Sequence, residues 1–280
     1  MEKRPKITNL THGYKRRKEA TKICSRWRFA KLAKEVGVYC VGLASDLSRE
    51  DAHAFYEHLG YKKTSYWMRK KNMDIKIEPI RECDYYEIEC LTKRAFWNLN
   101  MPGCDEHYLV HRIVNDSNYV PSLSLVAKAD GSFIGTILYT KCRLETTKGD
   151  IDVLTFGPLC VDPEYQGKGV GKALLLESIQ LAKRTTNYPA IFICGVPTYY
   201  PKFGFKPAAE FGVTMPDGST FDAFMGYELK EGFLKDISGK FYEPDCCDCD
   251  IHDERYVAEL EEFDRQFPYM EKKVLPGQWR

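Results

Sequence analysis

No apolar run in these 280 residues approaches the about 20 that a bilayer crossing takes. The longest, such as Ala190–Val196, belong inside a core. Charge of one sign is not in excess either: 41 Lys and Arg meet 40 Asp and Glu, a net of +1. Disorder and collagen-like repetition are excluded, because apolar residues make up 44% of the chain and aromatics 13%. The opening segment Met1–Leu10 is charged and lacks the apolar centre of a signal peptide. The expectation is therefore a soluble, cytoplasmic chain with no membrane partner, long enough for one large domain or two ordinary ones.

Cysteine is not scarce. The 11 residues are odd in number, scattered from Cys24 to Cys249, and expected as reduced thiols. Cys246, Cys247 and Cys249 cluster beside His252, but a structural zinc site takes about four ligands and no second cluster completes one. The expectation is no metal and a solvated linker at that point.

The near-zero net charge hides a split. Residues 1–71 carry +11 and residues 72–280 carry −10. The basic residues are interleaved with Ile23, Trp27, Phe29 and Leu32, which suits an amphipathic helix docked on an acidic partner better than a nucleic-acid surface. No nucleic-acid partner is expected.

From Asp74 the pattern changes. Ile75, Ile77 and Ile80 open a strand, Asp84–Phe96 reads as a helix, and Leu123–Ala127 with Ser132–Tyr139 read as a hairpin. Ile151–Val161 is a strand interrupted by Gly157-Pro158. A helix over Gly169–Arg184, a buried strand over Ala190–Val196 and a short helical piece over Thr198–Phe203 come next in the chain. Further strands are predicted over Ala223–Glu228 and Ile237–Tyr242, then an acidic amphipathic helix over Asp253–Phe267. This order describes one α/β or α+β domain over 74–245 with a C-terminal extension over 246–280.

The informative segment runs Leu159-Cys160-Val161-Asp162-Pro163-Glu164-Tyr165-Gln166-Gly167-Lys168-Gly169-Val170-Gly171-Lys172. A strand ends, a turn comes next, and a helix opens inside a glycine-rich run. Glycine lets successive N–H groups converge, and the helix dipole adds positive potential: a cradle for phosphate. It is not a P-loop, since Gln166 and Ala173 stand where Gly and Ser/Thr are required. Nor is it the dinucleotide fingerprint, because Lys172 occupies the last glycine position.

Gln-x-x-Gly-x-Gly in this setting, joined to Gly157-Pro158-Leu159 upstream and Tyr199-Tyr200-Pro201-Lys202-Phe203-Gly204-Phe205 downstream, resembles the GNAT superfamily of acyl-CoA N-acyltransferases, in its bacterial branch. The resemblance covers most of 74–230. It implies a mixed α/β (α+β) fold, with a mostly antiparallel central sheet and flanking helices. It implies acetyl-CoA as cosubstrate, a primary amine on a small molecule or peptide as acceptor, and no metal. It assigns Leu159, Cys160 and Val161 to a splayed strand whose freed backbone pairs with pantetheine. The amides of Gln166, Gly167, Lys168, Gly169, Val170, Gly171 and Lys172 go to the pyrophosphate. Tyr200 becomes the general acid and Tyr199 a core residue. Asp150 and Asp152 are weak candidates for the base, and the loops over 96–120 and 211–221 are expected to meet the acceptor.

Residues 1–71 echo half of that domain. Phe55–Tyr61 repeats Tyr199–Phe205, and Tyr14–Ala20 aligns with Tyr165–Gly171, with Lys18 in the place of Gly169. The expectation is a truncated, degenerate half without CoA, docked on the full domain or swapped with a second chain. A non-catalytic CoA-binding sensor is the alternative reading of the same motifs.

Overall fold

The structure, a computed structural model, describes residues 75–278 apart from Asp236, together with the isolated positions Ala54, Glu57 and His58. The chain divides between Lys71 and Asn72 into two units. The second unit contains the sheet and helices of the described domain. The predicted degenerate half over 1–71, its helices, its strand and its repeat of the tyrosine motif lie outside the described residues.

Nine strands form one sheet: β1 (Ile75–Pro79), β2 (Leu125–Ala129), β3 (Ser132–Thr146), β4 (Gly149–Val161), β5 (Ala190–Cys194), β6 (Lys206–Pro207), β7 (Val213–Thr214), β8 (Phe224–Glu228) and β9 (Gly239–Tyr242). Their order is β1-β2-β3-β4-β5-β8-β6, with β9 on the far half of β3 and β7 on β9. Every pairing is antiparallel except β4 with β5 and β7 with β9. Short loops explain that preference. The β2–β3 turn is two residues, Asp130 and Gly131, at φ 49° and 84°, the mirror-image geometry that matches strand twist.

Helices α1 (Tyr85–Phe96), α2 (Glu106–Val114), α3 (Val170–Thr185) and α4 (Glu254–Asp264) complete the domain. Leu125 and Ala127 of β2 share a core with Val170, Leu174, Leu175 and Ile179 of α3. Val126 between them packs instead with Ile88 of α1 and with Val110 and Ile113 of α2. Successive side chains of a strand point to opposite faces, so α3 covers one face of the sheet while α1 and α2 cover the other. Leu174, Leu175 and Ile179 are buried, each worth roughly 1.5–3 kcal/mol. Gly135 of β3 permits the close approach of α3: a Cβ there would lie 2.9 Å from Val170 Cγ1 and 3.0 Å from Leu174 Cδ1.

Two expectations need correction. The stretch assigned wholly to an acceptor loop contains α2, nine residues whose amphipathic pattern is diluted by His107, His111 and Arg112. The segment expected as a solvated linker is not one: Cys246 is buried in the core beside Ile80, Ile88 and Val110, and Cys247 packs against it. The tail beyond it is packed as well. Tyr256, Leu260 and Phe263 of α4 bury against Tyr108 of α2, and α4 is capped by Asp253, whose side chain accepts from the Arg255 amide at 2.9 Å.

Candidate active site

β4 and β5 pair at one position, Leu154 with Ile191. Beyond it β4 continues for seven more residues while β5 turns to pair with β8 along its whole length. The two parallel strands therefore splay, and among the described residues one edge of β4 from Thr155 onward has no strand partner. A register shift falls at the same place: Leu138 of β3 faces both Gly157 and Pro158, between the pairs Tyr139–Phe156 and Ile137–Leu159. An extra residue in one strand bends it and raises its twist, which carries β4 away from β5.

Which backbone groups face the gap is set by the ladder. Asp162 N–H donates to Ile134 O, so strict alternation in the registered stretch turns the Cys160 amide and carbonyl toward β3 and those of Leu159 and Val161 toward the open edge. Leu159 and Val161 thus present backbone to the splay. Cys160 does not: its backbone belongs to the β3 ladder, and its thiol is 4% exposed, 3.6 Å from Thr92 Oγ1 of α1. Burial first pushes that thiol up to about 12. On the open edge, Gln166 Nε2 donates to Val161 O at 3.1 Å.

The glycine run comes directly after. Asp162 caps a short 3-10 turn over Pro163–Tyr165, accepting from the Glu164 amide at 3.0 Å, and its other oxygen takes an ion pair from Arg94 of α1 at 3.3 Å. Gly167 and Gly169 then adopt φ of +69° and +89°, and α3 starts at Val170. A Cβ on either glycine would meet nothing within 4 Å, so both face open space rather than a packed wall. Ala173 N–H bonds to Gly169 O, which leaves the amides of Val170, Gly171 and Lys172 as the unpaired first turn. That turn carries no acidic residue. Val170 offers only its amide, because its side chain is buried in the core. Lys172 is exposed. Lys168 is folded back, its Nζ 2.6 Å from Glu164 O and 4.9 Å above the Tyr165 ring.

Tyr200 closes the splay on the α3 side. Its ring packs against Phe156 of β4 at 5.8 Å, Phe205 at 5.6 Å and Tyr199 at 5.1 Å. It also lies flat on Gly195, the residue after β5, where a Cβ would sit 2.4 Å from Tyr200 Cε2. Its hydroxyl makes no hydrogen bond among the described residues, and burial first, the neighbouring Tyr199 second, push its pKa up to about 12. Tyr199, expected as core, is half-buried instead. Its hydroxyl lies 3.6 Å from where a Gly171 Cβ would stand, so it borders the glycine run.

Asp150 and Asp152 are not near this centre. Asp150 pairs with Arg143 at 3.1 Å, at the hairpin end of β4. Asp152 faces Arg143 across the same hairpin. Both precede Leu154, where the splay begins, and lie toward the opposite end of the strand. Two features escaped sequence reading. One is Gly195, a lone glycine without a motif. The other is the set of hydrogen bonds from the C-terminal tail to the loop after α1, where Trp97 Nε1 and Asn98 Nδ2 each donate to Glu271 O at 2.9 Å.

Among the described residues no group of three or more His, Cys, Asp or Glu side chains is placed to hold a metal ion, and no helix is long and apolar enough to cross a membrane.

Comparison with known proteins agrees with this geometry. Residues 121–207 match the acetyltransferase (GNAT) domain model. The chain is 39% identical over 104 residues to YjhQ, an uncharacterised N-acetyltransferase of Escherichia coli K12, a match spanning 36% of this chain and only 55% of that protein. It is 28% identical over 153 residues to the uncharacterised N-acetyltransferase YhbS of the same organism, spanning 54% of this chain and 86% of that one. Two solved structures share the fold. YhbS in complex with CoA superposes with a TM-score of 0.54 at 24% identity, over 63% of this chain and 94% of that one. A GNAT acetyltransferase from Brucella melitensis in complex with acetyl-CoA superposes at 0.51 with 22% identity, over 63% and 100%.

Proposed function

We propose that this chain, whose residues 121–207 match the acetyltransferase (GNAT) domain model, moves an acetyl group from acetyl-CoA to a primary amine of a small molecule or peptide. The observation that carries this reading is the open edge of β4 running into the unpaired first turn of α3, with the Tyr200 ring packed between Phe156 of β4 and Gly195 after β5. Solved structures of the same fold are complexes with CoA and acetyl-CoA.

The cradle fits such a cosubstrate. Gly167 and Gly169 leave open space against backbone, and the amides of Gly167 to Lys172 supply donors for pyrophosphate where the helix dipole is positive. Leu159 and Val161 offer strand-like backbone to the pantetheine amides. An N–H on that edge stabilises the oxygen that gains charge when the amine attacks the thioester carbonyl. The C–S bond then breaks, and Tyr200 gives its proton to the departing thiolate. Burial raises this phenol to about 12, so it keeps its proton at rest; passing that proton to a thiolate of pKa about 8.5 is uphill and is driven by the C–S cleavage it accompanies. Tyr200 recovers a proton from solvent.

Residues 1–71 belong to this proposal as a degenerate half that holds no CoA, since Lys18 replaces the glycine of the cradle, and that docks on the domain or exchanges with a second chain. The matched relatives are bacterial, and we place the protein in a bacterial cytoplasm. The decisive experiment incubates the full chain with acetyl-CoA and a panel of primary amines and measures free CoA thiol. Amine-dependent thiol release with acetylated product supports the transferase. CoA binding by calorimetry without any turnover supports a CoA-binding sensor instead.

A further inference from the structure

The cysteines after β9 take no part in acetyl transfer, and two of them face each other. We propose that Cys246 and Cys247 are a vicinal dithiol that reduces a hydroperoxide and closes a reversible disulfide.

Neighbouring side chains of an extended chain point to opposite sides. Here the 3-10 turn over Asp245–Cys247 brings the two sulfurs to 3.9 Å from each other. The turn is pinned on both sides of the pair. Cys247 N–H donates to Pro244 O at 2.9 Å, and Asp248 N–H donates to Asp245 O at 3.2 Å. The Arg112 guanidinium of α2 donates to Asp245 O at 2.6 Å and also to Asp248 O. It lies 5.5 Å from the Tyr256 ring of α4. Cys249, the third thiol of the segment, packs instead against the cluster of Tyr108, Tyr256 and Phe263.

The two sulfurs differ in their surroundings. Cys246 is 6% exposed, beside Ile80, Ile88 and Val110. Cys247 is half-buried, and Asp245 and Asp248 at the ends of the turn are exposed. A small oxidant therefore reaches the pair from solvent. The hydrogen bond with Cys247 holds the Cys246 thiol below the ordinary thiol range, against burial, and raises Cys247. The thiolate is the nucleophile in thiol chemistry, so Cys246 attacks and Cys247 resolves.

Atoms and electrons balance. The Cys246 thiolate attacks one peroxide oxygen: an S–O bond forms, the O–O bond breaks, and the leaving alkoxide takes a proton from solvent. Cys246, now a sulfenic acid, has given two electrons to the peroxide. The Cys247 sulfur attacks it, the S–S bond forms, and the S–O bond breaks as hydroxide leaves with the Cys247 proton as water. Two thiols and one hydroperoxide give one disulfide, one alcohol and one water.

The ring is easy to reopen. Consecutive Cα atoms lie about 3.8 Å apart across a trans peptide, less than the about 4.4–6.8 Å that disulfides usually span. Closing the pair also draws the sulfurs from 3.9 Å to about 2.05 Å, which twists a turn that Arg112 holds. Strained disulfides are the labile ones, so a monothiol such as glutathione restores both thiols. Forming such a ring takes a strong oxidant, which selects a peroxide over a disulfide donor.

The test treats the reduced full chain with hydrogen peroxide at a dose that leaves the exposed Cys83 fully labelled by N-ethylmaleimide after quenching in denaturant. Cleavage before Asp245 and Asp248 isolates Asp245–Cys247 from Cys249. The expected result is loss of both labels from that peptide, a mass two hydrogens below the reduced form, and recovery of both labels after glutathione. In Cys247→Ser, checked for folding by circular dichroism, Cys246 should stop at the sulfenic acid and take up dimedone. The wild-type result decides by itself where that variant does not fold. Retention of both labels in the wild type while Cys83 is consumed overturns the proposal. A crosslink of either cysteine to Cys249 or Cys142, or a stable dimedone adduct on wild-type Cys246, overturns the vicinal assignment. No step of the readout involves acyl transfer, so its failure is distinct from failure of the acetyl-transfer reading.

Discussion

The ring of Tyr200 occupies the space that a side chain on Gly195 would need: a Cβ there would lie 2.4, 2.8 and 3.3 Å from its Cε2, Cδ2 and Cζ. The ring is also packed against Phe156, Phe205 and Tyr199, so an added methyl can be relieved only by displacing it from this seat. Gly195→Ala should therefore shift the hydroxyl, lowering kcat at least tenfold and stability by about 1–3 kcal/mol through overpacking. CoA affinity should stay within about threefold, since the glycine cradle is untouched. Steady-state kinetics with calorimetry checks this. Full kcat in the alanine variant would show that the position of the Tyr200 hydroxyl does not matter.

Tyr200→Phe keeps the ring in that box and removes only the proton donor. With the acid gone, kcat should fall by about 10²-fold while the dissociation constant for CoA barely moves. A leaving group with a lower pKa needs less help, so an activated thioester should recover part of the loss. Near wild-type kcat with acetyl-CoA would assign thiol protonation to water.

Gly169 and Gly131 have similar backbone, φ +89° and +84°, and a Cβ on either meets nothing within 4 Å. One sits in the cradle and the other in the β2–β3 turn. Valine at either place costs roughly 1–2 kcal/mol of left-handed strain. Gly169→Val should in addition weaken CoA binding at least tenfold, about 1.4 kcal/mol, whereas Gly131→Val should leave it unchanged. Equal CoA affinity in the two variants, by calorimetry, would remove the phosphates from this turn.

Lys93 of α1, 3% exposed, donates to Asp264 of α4 at 2.6 Å, and the fully buried His107 of α2 meets the same oxygen at 3.0 Å. Burial alone would raise the Asp264 carboxyl, but hydrogen bonds from His107 and Lys93 and their charges outweigh it and hold it at about 2. A carboxyl held below its unfolded value contributes stability above that value and loses it as pH falls through the folded one. The contribution of Asp264 should be complete above about pH 4 and vanish toward pH 2. Asp264→Asn leaves Lys93 buried without its anion and should cost roughly 3–5 kcal/mol at pH 7, with the difference from wild type shrinking on acidification toward pH 2. Denaturant melts at pH 7 and pH 3 measure it. A constant difference across that range would rule out the charge as the cause.

Local pattern determined much of this domain. The alternation of Ile75 and Ile77, the Asp130-Gly131 turn, the apolar face Leu174, Leu175 and Ile179 of α3, and the run Gln166–Gly171 are each legible within a dozen residues, because a strand, a turn, a helix and a phosphate cradle depend on near neighbours. The glycines named the chemistry because their backbone freedom is itself the function. What the sequence could not show are relationships between distant segments. That Leu159 and Val161, and not Cys160, face the gap depends on which edge of β4 the β3 ladder uses. The isolation of Gly195 hides a contact with Tyr200 that exists only once β5 and the following turn fold back on each other. Asp150 and Asp152, four and two residues before Leu154 in sequence, lie at the wrong end of their strand. Local sequence sets which backbone shape each segment prefers; which side chains meet is set by strand pairing across the sheet, and that is decided by burial summed over the whole domain.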